Sequence, residues 1–210
     1  MIGNPVNCES YNVKNLKLDE PLERYLNLVN GNNVLDLGIG QGKCSALLAR
    51  QGFNVIGVDL SNTALEACKD VPNLTFVQDD IRNFNIEKDK YNLIISRCVL
   101  HFLHKDDVHE IIKNIKYGLC SGGMVYLSVF SIADPGFKKR ELNSDYDNLD
   151  NNIFYKRSEN TYMSYFTKKE ILDLFADFKT IMISNEFSLD LSHDNPHYHG
   201  TIKYIGRKME

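Results

Sequence analysis

The chain has 210 residues, of which 43% are hydrophobic, so it can bury the core of one domain of ordinary size. Its formal net charge is −4, which argues against a basic field over the whole molecule of the kind that recruits nucleic acid. Its five cysteines show no C-x-x-C spacing, which argues against a disulfide framework or a zinc knuckle.

Neither a membrane protein nor a secreted protein is indicated by the distribution of apolar residues. No apolar stretch approaches the roughly 20 residues of a membrane span, and residues 1–15 lack the charged-then-apolar order of a signal peptide. We therefore expect a cytosolic protein, monomeric or homodimeric, that has neither a membrane nor a nucleic acid as its partner.

The first segments lead up to the main motif. Residues 1–17 are polar and irregular and predict an N-terminal arm outside the core. Residues 18–29 place apolar side chains three and four positions apart, which predicts one face of a helix. Gly31 follows and is expected to end that helix.

Residues 32–42 carry the strongest functional signal in the chain. The apolar run over 34–37 predicts a strand buried on both faces of a sheet. A helix is predicted to begin at Lys43, and three glycines stand at alternate positions before it, namely Gly38, Gly40 and Gly42. Glycine accepts a positive φ and has no Cβ, and a helix N-terminus offers unpaired N–H groups, so this pattern brings backbone close to a ligand.

The spacing of these glycines separates them from the dinucleotide fingerprint, in which the third glycine comes one residue later. Asp36 also stands two places before Gly38, where a carboxylate would repel a pyrophosphate but suits a positively charged ligand. The pattern Asp-x-Gly-x-Gly-x-Gly resembles the first motif of class I S-adenosylmethionine-dependent methyltransferases. The resemblance implies that S-adenosyl-L-methionine is the cofactor and that Asp36 and the three glycines help to bind it.

Residues 53–59 predict a second buried strand that ends in a carboxylate. Asp59 follows the first glycine by about 20 positions, where an acidic residue can hydrogen-bond ribose hydroxyls. The resemblance implies the same contact for Asp59 and implies that Leu60 packs on adenine. Ser61 is a suitable N-cap for a helix predicted over 62–70.

A third strand is predicted over 74–78, and acidic residues follow it. The resemblance implies that one of them accepts a hydrogen bond from the adenine amino group. Alignment on the residues that follow favours Asp80, together with the backbone of Ile81, and leaves Asp79 as the alternative. By the same resemblance, Tyr11 in the arm is a candidate for closing the cofactor site.

Residues 91–96 predict a fourth strand, and we assign Arg97, which follows it, to the cofactor site. The segment from Arg97 to Leu103 resembles the small-molecule branch of the family. It lacks the Asn/Asp-Pro-Pro-Tyr/Phe of amino-directed methyltransferases and the Pro-Cys of cytosine C5 enzymes. We therefore expect a small-molecule acceptor, and we interpret Cys98 and His101 as core residues.

Residues 106–119 predict an amphipathic helix opened by Asp106 or Asp107, and 124–130 predict a fifth strand. Strands that alternate with helices imply right-handed crossovers and a parallel sheet. With the resemblance, the expected fold is α/β and Rossmann-like. It has a seven-stranded, mostly parallel sheet with an antiparallel last strand, helices on both faces, and a single domain over 1–210.

Residues 132–166 break this rhythm and show no sustained period. A loop of that length is uncommon unless it is functional, and its place after the fifth strand would set it over the ligand-binding edge of the sheet. We predict a lid over the active site, with a surface insertion as the alternative. The candidate wall residues are aromatic, namely Phe154, Tyr155, Tyr162 and Tyr165.

After a capping box at Thr167–Glu170, strands are predicted over 178–191 and 200–207. In the resembling family these two strands form a hairpin whose turn lies at the active-site edge. The segment between them carries three histidines, namely His193, His197 and His199. They suit general-base or acceptor-binding roles, a metal site, or a structural role. We assign them as catalytic, and because no local carboxylate or thiolate set matches a known site, we expect no metal.

The sequence therefore predicts transfer of a methyl group from S-adenosyl-L-methionine to a small molecule by in-line attack, which yields S-adenosyl-L-homocysteine. The histidine-bearing hairpin and residues 96–103 are also similar to the tellurite-resistance methyltransferases. Two alternatives stay open: a catalytically silent S-adenosylmethionine-binding regulatory protein, and an NAD-dependent oxidoreductase. The glycine spacing and Asp36 argue against the second.

Overall fold

The structure, a computed structural model, describes residues 17–62, 68, 70–150, 152–190 and 196–210. Seven of the described strands form one sheet, and helices pack on both of its faces. In chain order the elements are α1 (Glu20–Tyr25), β1 (Asn33–Leu37), α2 (Lys43–Arg50), β2 (Asn54–Asp59), β3 (Leu74–Gln78), β4 (Tyr91–Arg97), α3 (Lys105–Gly118), β5 (Leu119–Phe130), α4 (Pro135–Glu141), β6 (Tyr146–Leu149), β7 (Ile153–Lys156), β8 (Thr161–Ser164), α5 (Lys168–Leu174), β9 (Phe178–Asp190) and β10 (His197–Lys208).

The strand order of the main sheet is β3-β2-β1-β4-β5-β10-β9. Strands β1 to β5 pair in parallel, whereas β10 is antiparallel to both β5 and β9. This arrangement confirms the predicted fold. The order reverses between β1 and β4, and ligands bind at such a switch point, outside the carboxyl ends of the strands.

The core lies on both faces of the central strands. Neighbouring side chains of β1 point to opposite faces, so Val34 and Leu35 belong to different clusters and both are fully buried. Apolar residues of α3 and α5 cover the face of Leu35, and those of α1 and α2 cover the face of Val34. Burial on both faces accounts for the nearly continuous apolar runs in the sequence.

Two predicted helix ends differ from the structure. The first helix ends at Tyr25 and continues only as a 3₁₀ turn over Leu26–Leu28, so Gly31 does not cap it. The N-cap of α3 is His104, whose Nδ1 accepts a hydrogen bond from the Asp106 amide at 3.3 Å. The predicted caps Asp106 and Asp107 instead occupy the first turn, where carboxylates favour the helix dipole.

The prediction of an irregular segment over residues 132–166, here called the insertion, is wrong. The insertion forms α4 and an antiparallel sheet of β6, β7 and β8. Its strands have four residues each, too few to show a period in the sequence. Phe154 and Tyr165, expected as cavity walls, are instead buried in a small core with Phe130.

The capping box at Thr167 and Glu170 is present, and β10 begins at His197, earlier than predicted. Tyr11, His193 and most of the helix predicted over 62–70 lie outside the described residues. Within the part of the chain that the structure describes, no helix combines the length and the apolar character needed to cross a membrane.

Candidate active site

A cavity of about 790 Å³ opens where the strand order reverses, at the carboxyl ends of β1, β2 and β4; we call it the main cavity. Five of the residues predicted to bind the cofactor line it, and these are Gly38, Asp59, Leu60, Asp80 and Ile81. The insertion adds further lining residues, namely Asp147, Leu149, Tyr155, Asn160, Thr161 and Tyr162. The volume is within the range of small-molecule sites.

The glycine turn allows backbone to approach this cavity. All three glycines have a positive φ, between +57° and +79°. A Cβ on Gly38 would lie 2.7 Å from the Val99 side chain, and one on Gly42 would lie 2.6 Å from the Cys68 sulfur, whereas a Cβ on Gly40 would meet open space. Gly38 and Gly42 therefore permit close packing of the turn, and Gly40 leaves its surface open to a ligand.

Asp59 is held at the end of β2 by main-chain hydrogen bonds. Its Oδ2 accepts from the Gly40 amide and its Oδ1 from the Ser61 amide, each at 2.9 Å. A carboxylate oxygen can accept more than one hydrogen bond. Asp59 can therefore accept from ligand hydroxyls while it keeps the turn after β1 in place.

Asp80, rather than Asp79, lies in the wall of the main cavity. The guanidinium of Arg82 donates to both oxygens of Asp80, and this hydrogen bonding lowers the pKa of the Asp80 carboxyl. The Asp79 carboxylate accepts from the Asp80 amide instead. Beside this wall the Leu60 side chain is 65% exposed and offers apolar surface to a flat ring.

Asp36 lies behind the glycine turn rather than at the cavity surface. It is 3% exposed and accepts a hydrogen bond from the Ser45 hydroxyl at 2.6 Å, which ties β1 to α2. Burial raises the pKa of the Asp36 carboxyl. Asp36 thus belongs to the sequence motif, but its described hydrogen bond, to Ser45, supports the glycine turn from behind.

Arg97 lies at the end of β4 in a network that the sequence did not reveal. Its Nε is 3.8 Å from Asp19 Oδ2 and, among the described residues, has no hydrogen-bond partner. Asp19 in turn accepts from the Tyr126 hydroxyl and from Lys203 Nζ. Asp19 immediately precedes α1. Its place in this network is defined by partners that are distant in sequence, so no local pattern indicated it.

Two of the four predicted wall residues of the insertion do line the main cavity. The rings of Tyr155 and Tyr162 lie 5.3 Å apart, and Tyr162 packs edge-on against His104 at 5.2 Å. Asp107 and Asp147 also belong to the wall. No sequence pattern indicated a cavity position for these two carboxylates, and Asp107 was predicted only as a candidate helix cap.

A second cavity, of about 500 Å³, lies between α4 and the start of β10. His197 Nε2 and His199 Nε2 are 3.0 Å apart, and His199 Nδ1 is 3.0 Å from Asp134 Oδ2. An ionised carboxylate only accepts hydrogen bonds, so His199 Nδ1 carries the hydrogen. Asp134, 3% exposed, also accepts from the amides of Gly136 and Gly200.

An aromatic stack lies between the two cavities, and their lining residues, among those described, do not overlap. Phe130 stacks on His101 at 3.7 Å and on His199 at 4.7 Å. His101 is buried, and burial, helped by nearby His199 and Arg140, lowers its pKa to about 3. The structure thus brings His197 and His199 together but places them in a cavity of their own.

The main cavity suits the cofactor that the sequence predicts. Open space at Gly40 admits a ligand against the backbone, and Asp59 and Asp80 supply carboxylates for a ligand with a positive charge. Arg97, predicted for the cofactor site, does not line this cavity, and its buried Nε has no hydrogen-bond partner among the described residues. Within the described residues, no group of three His, Cys, Asp or Glu side chains could hold a metal ion.

Comparison with known proteins finds similarity to methyltransferases. Residues 34–123 match the model of the methyltransferase domain family. The chain is 32% identical over 101 residues to the probable S-adenosyl-L-methionine-dependent methyltransferase TehB of Haemophilus influenzae, a match that covers 46% of this chain and 35% of TehB. Matches to the curated relatives span half of their length or less.

Solved structures show the same fold. A methyltransferase from Methanosarcina mazei superimposes with a TM-score of 0.71 at 19% identity, over 92% of this chain and 99% of that one. A Burkholderia thailandensis N1-methyltransferase, solved with 1,6-didemethyltoxoflavin and S-adenosylhomocysteine, gives a TM-score of 0.65 at 18% identity, over 89% and 75% of the two chains. Over residues 34–123 the chain therefore matches a methyltransferase domain, and its fold is the one found in solved S-adenosylmethionine-dependent methyltransferases.

Proposed function

We propose that this protein transfers a methyl group from S-adenosyl-L-methionine to a small-molecule acceptor. The observation that carries the proposal is the wall of the main cavity. There the fold brings the glycine turn, Asp59 and Asp80 together from three separate strand ends. The family supports the cofactor, since the matched domain is a methyltransferase domain.

Each part of the wall has a proposed role toward the cofactor. Asp59 accepts hydrogen bonds from the ribose hydroxyls, and Asp80 accepts one from the adenine amino group. Leu60 and Ile81 flank the adenine ring. Arg97 lies at the end of β4 and is not among the residues that line the cavity; we propose that its guanidinium, whose Nε has no described hydrogen-bond acceptor, binds the carboxylate of the methionyl moiety.

When bound, the cofactor supplies a methyl group on a positively charged sulfur. The contribution of the protein is alignment of the acceptor with that methyl group and exclusion of water. Tyr155 and Tyr162 of the insertion serve this purpose, since they belong to the same cavity as the glycine turn. No covalent bond to the protein is needed.

The acceptor is proposed to be a small molecule, as in the Burkholderia enzyme, which was solved with 1,6-didemethyltoxoflavin. His197 and His199 are proposed to accept the proton that the acceptor loses, and Asp134 fixes the orientation of His199. His193 shares this proposed role, although it lies outside the described residues.

Calorimetric titration tests the cofactor directly. S-adenosylmethionine and S-adenosylhomocysteine should each bind the protein, and NADH should not. Tight NADH binding without binding of the other two would overturn the proposal. Formation of S-adenosylhomocysteine across a panel of thiols, amines, phenols and metalloid oxyanions then tests turnover. Silence over the whole panel, with the cofactor bound, would favour a regulatory binding protein.

A further inference from the structure

We infer that the second cavity is an anion-binding site, which takes the carboxylate or phosphate group of a small molecule. Two cations line it, Lys139 and Arg140, both from the last turn of α4. Neither has a carboxylate within ion-pair distance among the described residues. A wall in which two cations face one carboxylate carries a net positive charge and favours a negatively charged ligand.

The carboxylate in the same wall, Asp134, offsets only one of these two charges, and its hydrogen-bond donors come from other groups of the protein. Asp134 accepts hydrogen bonds from the amides of Gly136 and Gly200 and from His199 Nδ1. It is almost completely buried. The surface that faces a ligand is therefore formed by the two cations and by imidazole, amide and phenol groups.

Arg140 is held in place by uncharged partners. Its guanidinium donates to the Tyr165 hydroxyl and lies over the rings of Tyr146 and Tyr165, with its carbon 5.6 Å and 5.5 Å from their centres. Its Nε is buried and has no described hydrogen-bond acceptor. A guanidinium fixed in this way keeps its full charge and loses little freedom when it binds an oxyanion.

The histidine pair completes the wall. His199 Nδ1 donates to Asp134, and His199 Nε2 lies next to His197 Nε2. When one proton is added to these two histidines, the pair becomes a cation and keeps the hydrogen bond between the two Nε2 atoms. A bound oxyanion stabilises that protonated form. Taken with the proposed function, on which this last step rests, the ligand is the acceptor: its anionic group lies in the second cavity beside the histidines, and the atom to be methylated reaches past the aromatic stack to the main cavity.

Titration with small anions tests the site without knowledge of the acceptor. Inorganic phosphate, acetate and the uncharged isostere acetamide are added at constant ionic strength, and the imidazole C–H signals are followed by NMR. The signals of His197 and His199 are assigned from variants in which one of these histidines is replaced. They should shift with phosphate or acetate and not with acetamide. Whether phosphate or acetate binds more tightly distinguishes a phosphate ligand from a carboxylate ligand.

Charge variants on one helix provide the matched control. Lys139→Gln and Arg140→Gln should each weaken anion binding by about tenfold or more. Lys138→Gln removes the same charge from the neighbouring position, which does not line the cavity, and should leave the affinity unchanged. Lys139 is exposed, so its variant keeps the test valid if loss of Arg140 loosens the insertion.

Three results would overturn the inference: no shift with either anion, equal shifts with acetamide, or equal weakening by Lys138→Gln. Binding of S-adenosylhomocysteine to the same variants separates this inference from the proposed function. An intact cofactor affinity with no anion binding rejects only the anion site. If the unmodified protein does not bind the cofactor, the proposed function is rejected, and the anion titration still tests the anion site independently.

Discussion

The main cavity and the second cavity lie on the same edge of the sheet and carry opposite charge. The main cavity is lined by four carboxylates and one guanidinium, namely Asp59, Asp80, Asp107, Asp147 and Arg82. The second presents Lys139 and Arg140, and its carboxylate, Asp134, is satisfied by donors from the protein. One aromatic stack separates them. The difference is the basis of the two proposals above, a cationic cofactor in the main cavity and an anionic ligand in the second.

The two cavities also differ in how they are built. The described wall of the main cavity near the glycine turn comes from short segments that follow strands, so each contribution is local in sequence. The second cavity joins α4 of the insertion to β10, more than 50 residues later in the chain. The predictions below test whether the two regions act independently.

The largest effect is expected in the second cavity. His199→Ala removes a proposed proton acceptor together with its bond to Asp134, and the rate of methyl transfer should fall about 10²-fold or more. The affinity for S-adenosylhomocysteine should not change, because His199 does not line the main cavity. Initial rates and calorimetry measure the two effects. A wild-type rate in both His197→Ala and His199→Ala would leave these histidines a structural role only.

In the main cavity, Asp59→Ala should weaken cofactor affinity by about 1.5–3 kcal/mol, since hydrogen bonds to a charged group are lost. Asp107→Ala is the matched control. It removes a carboxylate from the same wall that has no proposed cofactor contact, and it should bind the cofactor normally. Titration calorimetry with S-adenosylhomocysteine measures both. Equal affinity of the Asp59 variant and the wild type would show that Asp59 is wrongly assigned.

Between the cavities, His101 should make stability depend on pH. Its pKa is lowered to about 3 in the folded chain, first by burial and then by nearby His199 and Arg140. The unfolded chain binds this proton below a pH of about 6.5, so stability is full above that value and falls as the pH is lowered toward 3.

The expected loss between pH 7 and pH 5 is about 2 kcal/mol of unfolding free energy. His101→Phe keeps a ring against Phe130 and should remove this loss of about 2 kcal/mol. His109→Gln, at an exposed position on α3, is the control and should keep it. Urea unfolding at the two pH values measures the difference. An unchanged pH dependence in His101→Phe would contradict the prediction.

The smallest effect is expected from alanine substitution of two glycines, which separates backbone strain from contact with the cofactor. Gly40 and Gly52 both have a positive φ and open space at the Cβ position, so alanine at either should lower stability by about 1–2 kcal/mol. Only Gly40→Ala should also weaken cofactor binding, because Gly52 lies away from the glycine turn. Equal cofactor affinity in the two variants would mean that Gly40 does not approach the ligand.

The sheet and the glycine turn were predictable because their signals are local. Short apolar runs indicated strands β1 to β5, and the capping box indicated the start of α5. The insertion was not predictable as a folded unit, since four-residue strands leave no period. Phe154 and Tyr165 were aromatic but gave no sign of which side they face, and the structure buries both.

The candidate site was likewise predictable where the signal is local in sequence and not where it depends on distant partners. Gly38 and Asp59 were indicated by their spacing and Asp80 by the family resemblance, and the structure places all three in one wall. Asp19, which lies beside Arg97, and Asp134, which holds His199, were missed. Their roles depend on partners more than 60 positions away, and no pattern in a single sequence records such a distance.

The position of β10 between β5 and β9 has a consequence for synthesis of the protein. Until the ribosome has added residues 197–208, the apolar strand β5 has no partner on its outer side, and β9 has no place in the sheet. A stalled or truncated product would expose a long open strand edge, the kind of surface that promotes aggregation. We therefore expect the last dozen residues of the sheet to decide whether newly made chains stay in solution.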